Sequence, residues 1–299
     1  MRRVPADSPV LPDLSIRQLE YLAAVADHQT FSDAASDVGV SASALSQGLA
    51  ELERRLGVEL FEREGRRRKL RPTAVPVVEH ARHVLALTAD LARWRDRLTG
   101  GVSGTVRLGM IDVAAVVHFP DVLRTFRAVH PDVDLVLRVQ PSSALVEAVR
   151  SGDVDLAVCV EPPTPPDDLE LTPLLTEPLG VYAPPGTDQR ARADAWGPWV
   201  LFPAGSHTRL QVEQALAAAG APVTVAAESH QPDVIREMVR LGVGWTVLPR
   251  SQVDPTTDGD LVAGRELLRR RLVLTRRRRA VHDPVVDLLS QRLRRRPAN

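Results

Sequence analysis

Apolar residues recur every three to four positions over residues 15–56, and this spacing predicts three short helices. Ser15 begins a capping-box pattern, Thr30 is a candidate N-cap of the second helix, and Ser41 is one of the third. Gly39 stands between the second and third helices, where a helix must stop and the chain must turn. The pattern predicts a helix-turn-helix preceded by one supporting helix.

A longer periodic segment covers residues 77–98. Its a and d heptad positions are apolar at six of seven places, which is typical of a helix that pairs with another helix. We expect the following residues of this seam to form a dimer contact: Val77, Val84, Leu87, Leu91, Trp94 and Leu98.

From residue 105 onward, short apolar runs alternate with helical patterns, which is the order of an α/β fold. Helices are predicted near 114–129, 143–150, 208–219, 232–241 and 283–295. Strands are predicted at 105–111, 133–139, 154–160, 179–183, 200–202, 223–227, 243–248 and 272–274. This order favours mostly parallel strands in two sheets of four or five strands, with helices on both faces.

Length and composition narrow the classes of protein. A chain of 299 residues predicts two or three domains, and 44% hydrophobic with 25% charged residues indicates a globular protein. No apolar run reaches the roughly 18 residues that cross a bilayer, and the first residues do not resemble a signal peptide. We therefore expect a cytoplasmic protein. Cys159 is the only cysteine, which excludes an intrachain disulfide and a thiolate metal cage.

The net charge is zero, so an argument for nucleic-acid binding has to be local. Residues 63–71 hold six basic groups and one acid around Gly65, which predicts a short basic hairpin and completes a winged helix-turn-helix. In such a fold Gln47 can pair with adenine, and arginines of the hairpin can contact phosphate. A three-helix module with a solvated charged face is the open alternative. The candidate DNA contacts are Thr30, Ser32, Ser41, Ala42, Ser43, Ser46, Gln47, Arg54, Arg66, Arg67 and Arg68.

Residues 14–74 resemble the DNA-binding domain of the LysR-type transcriptional regulators. The stretches that carry this resemblance are LSIRQL at 14–19, FSDAA at 31–35, VSASALSQ at 40–47, LGVELFER at 56–63 and LRPTA at 70–74. Further along, GDVDLA at 152–157 and LGVGW at 241–245 resemble landmarks of the family's effector-binding half. The sequence departs from the family in three places: Ala42 replaces a glutamine that often reads a base, Gly48 replaces a residue that is often polar, and Val75-Pro76 replaces the usual Ala-Gly-type junction.

The resemblance implies an α/β protein with an N-terminal all-α winged helix-turn-helix, a long linker helix and a two-subdomain effector domain like that of periplasmic binding proteins. The implied domains are 1–74 for DNA binding, 75–100 for dimerisation and 101–299 for effector binding. Within the last, subdomain I would comprise about 104–180 and 268–299, and subdomain II about 181–267. The implied partners are an inverted-repeat operator in double-stranded DNA, a small-molecule effector and a second copy of the chain, with a homotetramer and RNA polymerase as further candidates. Neither a cofactor nor a membrane is expected.

Loops that follow predicted strands supply the candidate effector contacts, because open α/β sheets bind ligands beyond the carboxyl ends of their strands. These residues are Asp112, Val113, Ser142, Ser143, Gly205, Ser206, His207, Thr208, Ser229 and His230. Family members often carry a hydroxyl near position 113, whereas this chain has Asp112, which argues against a simple carboxylate effector. Ser142 and Ser206 could equally be helix caps.

The alternatives are an enzyme or a free solute-binding protein whose cleft is its main function. The sequence contains no G-x-S-x-G, no P-loop lysine and no dinucleotide glycine fingerprint. His80 and His83 are three residues apart, but His80 lies on the predicted dimer seam, so no metal site is expected. The N-terminal 74 residues argue against a free solute-binding protein. We expect a regulator, not an enzyme.

Overall fold

The computed structural model describes residues 12–64, 67–97, 104–188, 191–253 and 261–295. The chain forms two compact units, Met1–Ala92 and Arg93–Asn299. One hydrophobic core lies in the first unit, and three clusters of buried residues lie in the second. No helix within the described ranges is both long and apolar enough to cross a membrane.

The first unit is a helical bundle that carries a hairpin. Its elements are α1 (Ile16–Asp27), α2 (Phe31–Asp37), α3 (Ala42–Leu56), β1 (Phe61–Glu64), β2 (Arg67–Leu70) and the first part of α4 (Val75–Arg97). The predicted capping box is confirmed, because Ser15 Oγ accepts from the Gln18 N–H and the Gln18 side chain accepts from the Ser15 N–H. The hairpin is confirmed as well: β1 and β2 pair antiparallel.

The strands of the second unit form a mixed sheet of six strands and a separate pair. The strands are β3 (Gly104–Met110), β4 (Val133–Val139), β5 (Leu156–Val160), β6 (Leu169–Ala183), β7 (Trp199–Leu201), β8 (Val225–Glu228), β9 (Thr246–Pro249) and β10 (Val262–Arg277). The six-stranded sheet has the order β4-β3-β5-β10-β6-β9, and β7 with β8 forms a separate parallel pair. β3 is parallel to β4 and β5, while β10 is antiparallel to β5 and β6, and β9 is antiparallel to β6.

The helices of this unit connect the strands. They are α5 (Pro120–Val129), α6 (Ser142–Ser151), α7 (His207–Ala218), α8 (Pro232–Arg240) and α9 (Pro284–Arg294). A π-helical turn, Ala114–His118, precedes α5. The predicted helices are thus all present within one or two residues at their ends, except that the predicted helix 114–129 consists of this π turn followed by α5.

The prediction of two mostly parallel sheets of four or five strands is wrong, and the strands predicted at 179–183 and 272–274 are parts of two much longer strands. β6 and β10 span 15 and 16 residues and pair with each other along most of their length. The sequence concealed β10 because it is rich in arginine, and two of these arginines are buried against partners: Arg270 on Glu177, and Arg277 on backbone carbonyls.

The two long strands pass from one hydrophobic core to the next. Leu169 at the start of β6 belongs to the core that β3, β5, α6 and α9 share, whereas Leu179 and Val181 belong to the core around Trp199 and α7. Cys159 lies fully buried in the first of these cores, as the apolar run around it predicted. Burial raises the pKa of this thiol to about 11, so it stays protonated and unreactive.

Candidate nucleic-acid interface and ligand cleft

The ends of α2 and α3 are fixed by side-chain caps. Thr30 Oγ accepts from the Asp33 N–H at 3.1 Å and caps α2. Ser41 Oγ accepts from the Ala44 N–H at 3.2 Å and caps α3. Between the two helices Gly39 adopts a φ of +67°, which favours glycine. These local contacts hold α3 at a set angle to α2, as a helix-turn-helix requires.

One face of α3 is buried and the opposite face is exposed. Leu45, Leu49 and Leu52 are fully buried in the core of the first unit. The predicted DNA contacts Ser41, Ala42, Ser43 and Gln47 are exposed, as are Thr30 and Ser32 at the start of α2, while Ser46 is half-buried. The first unit therefore presents an amide and several hydroxyls on the helix that a helix-turn-helix inserts into the major groove.

Gly48 has a packing role that the sequence did not reveal. A Cβ at this position would lie 2.7 Å from ring carbons of Tyr21 on α1. The departure from the family at Gly48 therefore falls at a packing position, because this glycine lets α1 and α3 approach each other.

Arg54 is engaged in an ion pair with a neighbouring carboxylate. Its guanidinium donates to both carboxylate oxygens of Glu51, at 2.7 and 2.5 Å, and Arg55 donates to Glu51 at 2.6 Å. These hydrogen bonds lower the pKa of Glu51 to about 2, so the carboxylate is ionised at neutral pH. A phosphate contact by Arg54 requires Arg54 to exchange this partner.

The hairpin is attached to α3 through one carboxylate. Glu53 Oε1 accepts from the backbone N–H groups of Leu60 and Phe61, at 2.8 and 3.2 Å. Of the predicted hairpin contacts, Arg66 lies outside the described residues. Arg67 and Arg68 lie on β2, and their contact with DNA stays a prediction.

The predicted dimer seam divides along α4. Val77 and Val84 pack partly against the core of the first unit, which reduces the surface that they can offer to a partner. Leu91 is 54% exposed and Trp94 is 41% exposed, while Leu87 is half-buried. Leu98 lies outside the described residues. Apolar side chains therefore lie exposed on the second half of α4.

The second unit contains a cleft of about 850 Å³ whose walls come from loops after several strands. Six of the predicted effector contacts line it: Asp112, Val113, Ser142, Ser206, Thr208 and His230. The other four, Ser143, Gly205, His207 and Ser229, are not among its lining residues, and their contact with an effector stays a prediction. His207 Nδ1 instead donates to the carbonyl oxygen of Val160 at 3.2 Å.

The hydroxyls at the cleft also have structural partners. Ser142 Oγ accepts from the Val160 N–H at 3.1 Å, and Ser206 Oγ caps α7 by accepting from the Arg209 N–H at 3.5 Å. Each hydroxyl still has a proton to donate. Capping and ligand contact are therefore compatible for both serines.

A buried ionic network below the cleft was not predicted from the sequence. Arg270 on β10 donates through its Nε to Glu177 Oε1 on β6 at 2.7 Å and through a terminal nitrogen to Thr208 Oγ at 2.7 Å. Glu177 Oε2 also accepts from His118 Nε2 at 2.9 Å and from Ser251 Oγ at 3.2 Å. The sequence signal for a strand here was the short apolar run at 272–274, which predicted only part of β10.

The charge of Glu177 is maintained by its partners. Burial alone would raise the pKa of this carboxyl, but the hydrogen bonds and charges of His118 and Arg270 outweigh burial and hold the pKa below its usual value. Both Glu177 and Arg270 have side chains that are only 4% exposed. The network therefore connects the π turn, both long strands and α7 through one ionised carboxylate.

A second polar contact lies in the cleft itself. Gln252 Nε2 donates to Asp112 Oδ2 at 2.8 Å. Arg236 on α8 pairs with Asp233 at 2.6 Å and also donates to the backbone oxygen of Gln252. Asp112 lies directly after β3, and Gln252 lies shortly after β9, so residues 140 positions apart meet at this point.

Family models account for most of the chain. Residues 16–75 match the model for bacterial regulatory helix-turn-helix proteins of the lysR family, and residues 99–298 match the model for the LysR substrate binding domain. The transcriptional dual regulator GltC of Bacillus subtilis is 33% identical over 253 residues, covering 82% of this chain and 83% of its own length. A probable hydrogen peroxide-inducible genes activator of Streptomyces viridosporus is 32% identical, covering 84% and 83%.

Solved structures share the fold over nearly the whole chain. Full-length OxyR from Pseudomonas aeruginosa superposes with a TM-score of 0.66 at 24% identity, covering 94% of this chain and 95% of that one. CbnR in complex with its target DNA has a TM-score of 0.60 at 22% identity, covering 95% and 100%. The relatives are transcriptional regulators, which confirms the expectation of a regulator and not an enzyme. The chain therefore belongs to the LysR family of DNA-binding transcriptional regulators.

Proposed function

We propose that this regulator reads an inverted-repeat operator as a homodimer, with α3 of each protomer in the major groove. The exposed face of α3 carries this proposal, since Ser43 and Gln47 project from a helix whose opposite face is fully buried. Gln47 offers an amide that can donate to and accept from adenine at once, and Ala42 can contact a thymine methyl group. The hydroxyls of Thr30 and Ser32 suit phosphate contacts that fix the register.

The second half of α4 supports the dimer. Exposed Leu91 and Trp94 lie on the predicted heptad seam, and two such seams would bury each other in an isologous contact. A twofold-symmetric dimer presents two reading helices to a twofold-symmetric operator. We further propose that two dimers assemble into a tetramer, that the regulator contacts RNA polymerase, and that it is located in the cytoplasm.

We divide the chain into a DNA-binding domain at 1–74, a linker helix at 75–100 and an effector-binding domain at 101–299. In the last of these, the passage of β6 and β10 between separate cores supports subdomains near 104–180 with 268–299 and near 181–267. The cleft draws its lining from both groups of residues. A small molecule that binds there would favour one arrangement of the two subdomains and thereby alter the assembly on DNA.

The test is footprinting of the purified full-length protein on the DNA upstream of its own gene, over a series of salt concentrations. Two protected half-sites on one face of the duplex, lost steeply as salt increases, are expected. Protection no stronger than on random DNA would contradict operator recognition at this place.

A matched pair of variants tests base readout. Gln47→Ala should weaken binding to the preferred site by about 1–3 kcal/mol and relax preference at one base position. Gln214→Ala removes the same exposed amide from α7 in the second unit and should leave DNA binding unchanged. An equal loss for Gln47→Ala on all DNA sequences would assign Gln47 to the backbone and not to a base.

A further inference from the structure

The charges that line the cleft are unequally compensated. Four charged side chains lie in its described lining: Asp112, Asp233, Arg236 and Arg270. Arg270 is neutralised by the buried Glu177 at 2.6 Å, and Arg236 is paired with Asp233 at 2.6 Å. Each of the two cations thus has an anion in contact.

Asp112 has no such partner. Its side chain accepts one hydrogen bond, from the neutral amide of Gln252, and it forms no ion pair with any described residue. It is half-buried at the end of β3, so part of its hydration is already lost. One carboxylate therefore contributes an uncompensated negative charge to the cleft.

A second acceptor in the cleft, the buried amide oxygen of Gln252, lacks a hydrogen-bond donor among the described residues. This oxygen belongs to the same amide that donates to Asp112, so two acceptors lie side by side. A ligand group rich in N–H donors would satisfy both of these acceptors, whereas a carboxylate placed beside Asp112 would add like charge and further acceptors there.

The rest of the wall beside Asp112 is apolar. Val116 and Val117 in the π turn are 74% and 40% exposed, and Val139 at the end of β4 is 52% exposed, and all three line the cleft. Apolar side chains exposed in a concave site favour a hydrocarbon portion in the ligand.

We propose that the cleft binds an organic cation, a primary ammonium or amidinium group on an apolar skeleton, with Asp112 as its counter-ion and the Gln252 amide oxygen as a second acceptor. This inference rests on the proposed role of the cleft as the effector site. It assigns the chemical class of the effector and the residue that selects its charge. The cation would replace the solvent that now faces Asp112 and would strengthen the contact between the loop after β3 and the segment after β9.

The test uses three probes of one skeleton and different charge: hexylamine, hexanoate and 1-hexanol. Binding to the full-length protein is measured by ligand-observed NMR, which detects weak complexes, and by the shift of the thermal midpoint. Hexylamine is expected to bind and to raise the midpoint, and hexanoate is expected to bind least. Asp112→Asn should weaken hexylamine at least about tenfold, which corresponds to about 1.4 kcal/mol or more.

A control variant separates a local counter-ion from overall charge. Asp121→Asn removes the same charge from an exposed position on α5, where Asp121 pairs with Arg124, and it should leave the affinity for hexylamine unchanged. Equal binding of hexylamine to wild type and Asp112→Asn would overturn the role of Asp112. Preferential binding of hexanoate would overturn the cationic ligand class while supporting a small-molecule role for the cleft. Binding of none of the three probes would count against both the ligand class and that role.

Discussion

Removal of the buried carboxylate of Glu177 should destabilise the second unit strongly. In Glu177→Gln the side chain keeps its size, so no cavity forms. In either orientation the new amide is neutral, so it cannot replace the carboxylate charge that faces the Arg270 guanidinium. Arg270, whose side chain is 4% exposed, would then be left as a buried cation without a counter-ion.

The expected loss follows from these contacts. Breaking a buried ion pair by removing one partner costs about 3–5 kcal/mol, because an uncompensated charge stays inside the protein. With a urea dependence of about 2 kcal/mol/M, this loss lowers the midpoint of unfolding by about 1.5–2.5 M. The double variant Glu177→Leu with Arg270→Met removes both charges and should be less destabilised than either single variant.

Urea unfolding followed by tryptophan fluorescence is the suitable assay. Trp196, Trp199 and Trp245 pack together in one core of the second unit, so their fluorescence reports its unfolding. Asp121→Asn breaks an ion pair in the same unit between side chains that are 85% and 76% exposed. Because exposed ion pairs contribute about 0–1 kcal/mol, the urea midpoint of this variant should stay close to that of the wild type. A Glu177→Gln midpoint equal to that of Asp121→Asn, or a double variant that simply sums the two single losses, would refute the reasoning.

The same carboxylate predicts a dependence on pH. The pKa of Glu177 is lower in the folded protein than its ordinary value of 4.5. The folded state therefore binds the proton less readily, and the stabilisation is fully present above about pH 4.5 and is lost as the pH falls through the lowered pKa. Acid unfolding of Glu177→Gln should show a weaker pH dependence in this range than that of the wild type.

Three further predictions concern the first unit and α4. Gly48→Ala should lose up to about 2 kcal/mol in thermal unfolding, because overpacking against Tyr21 costs about 1–3 kcal/mol and the better helix former returns about 1; in a Tyr21→Ala background the same change should stabilise, and an unchanged sign would show that the ring is not the obstacle. Leu91→Asp should yield monomers in sedimentation, whereas Ala92→Asp, one position off the seam, should stay dimeric; a dimeric Leu91→Asp variant would place the contact elsewhere. The Glu51 carboxyl should titrate at about pH 2 by carbon NMR, and a midpoint near 4.5 would show that its arginine contacts are absent in solution.

Helix ends and the order of elements were readable from the sequence because the forces that set them are local. The Ser15 box, the Thr30 cap and the Ser41 cap each join residues three positions apart. The burial of one face of α3 follows from a period of 3.6 residues. The same local order, joined to a resemblance that spans both domains, sufficed to identify the family.

Contacts between residues far apart in the chain could not be predicted from the sequence. Glu177 and Arg270 are separated by 93 residues, and Asp112 and Gln252 by 140. Arginine in a strand pattern reads as solvent-facing, and only the pairing of β6 with β10 shows that Arg270 is buried against a carboxylate.

The sequence by itself therefore determined the helices, the winged helix-turn-helix, the regulator family and six of the residues that line the cleft. The tertiary structure decided the mixed sheet, the burial of the arginines, the packing role of Gly48 and the uncompensated charge of Asp112. The physical reason is that caps and periodicity act within one turn of a helix or along one strand. Whether a charge is compensated depends instead on which distant segments the fold brings within about 3 Å of it.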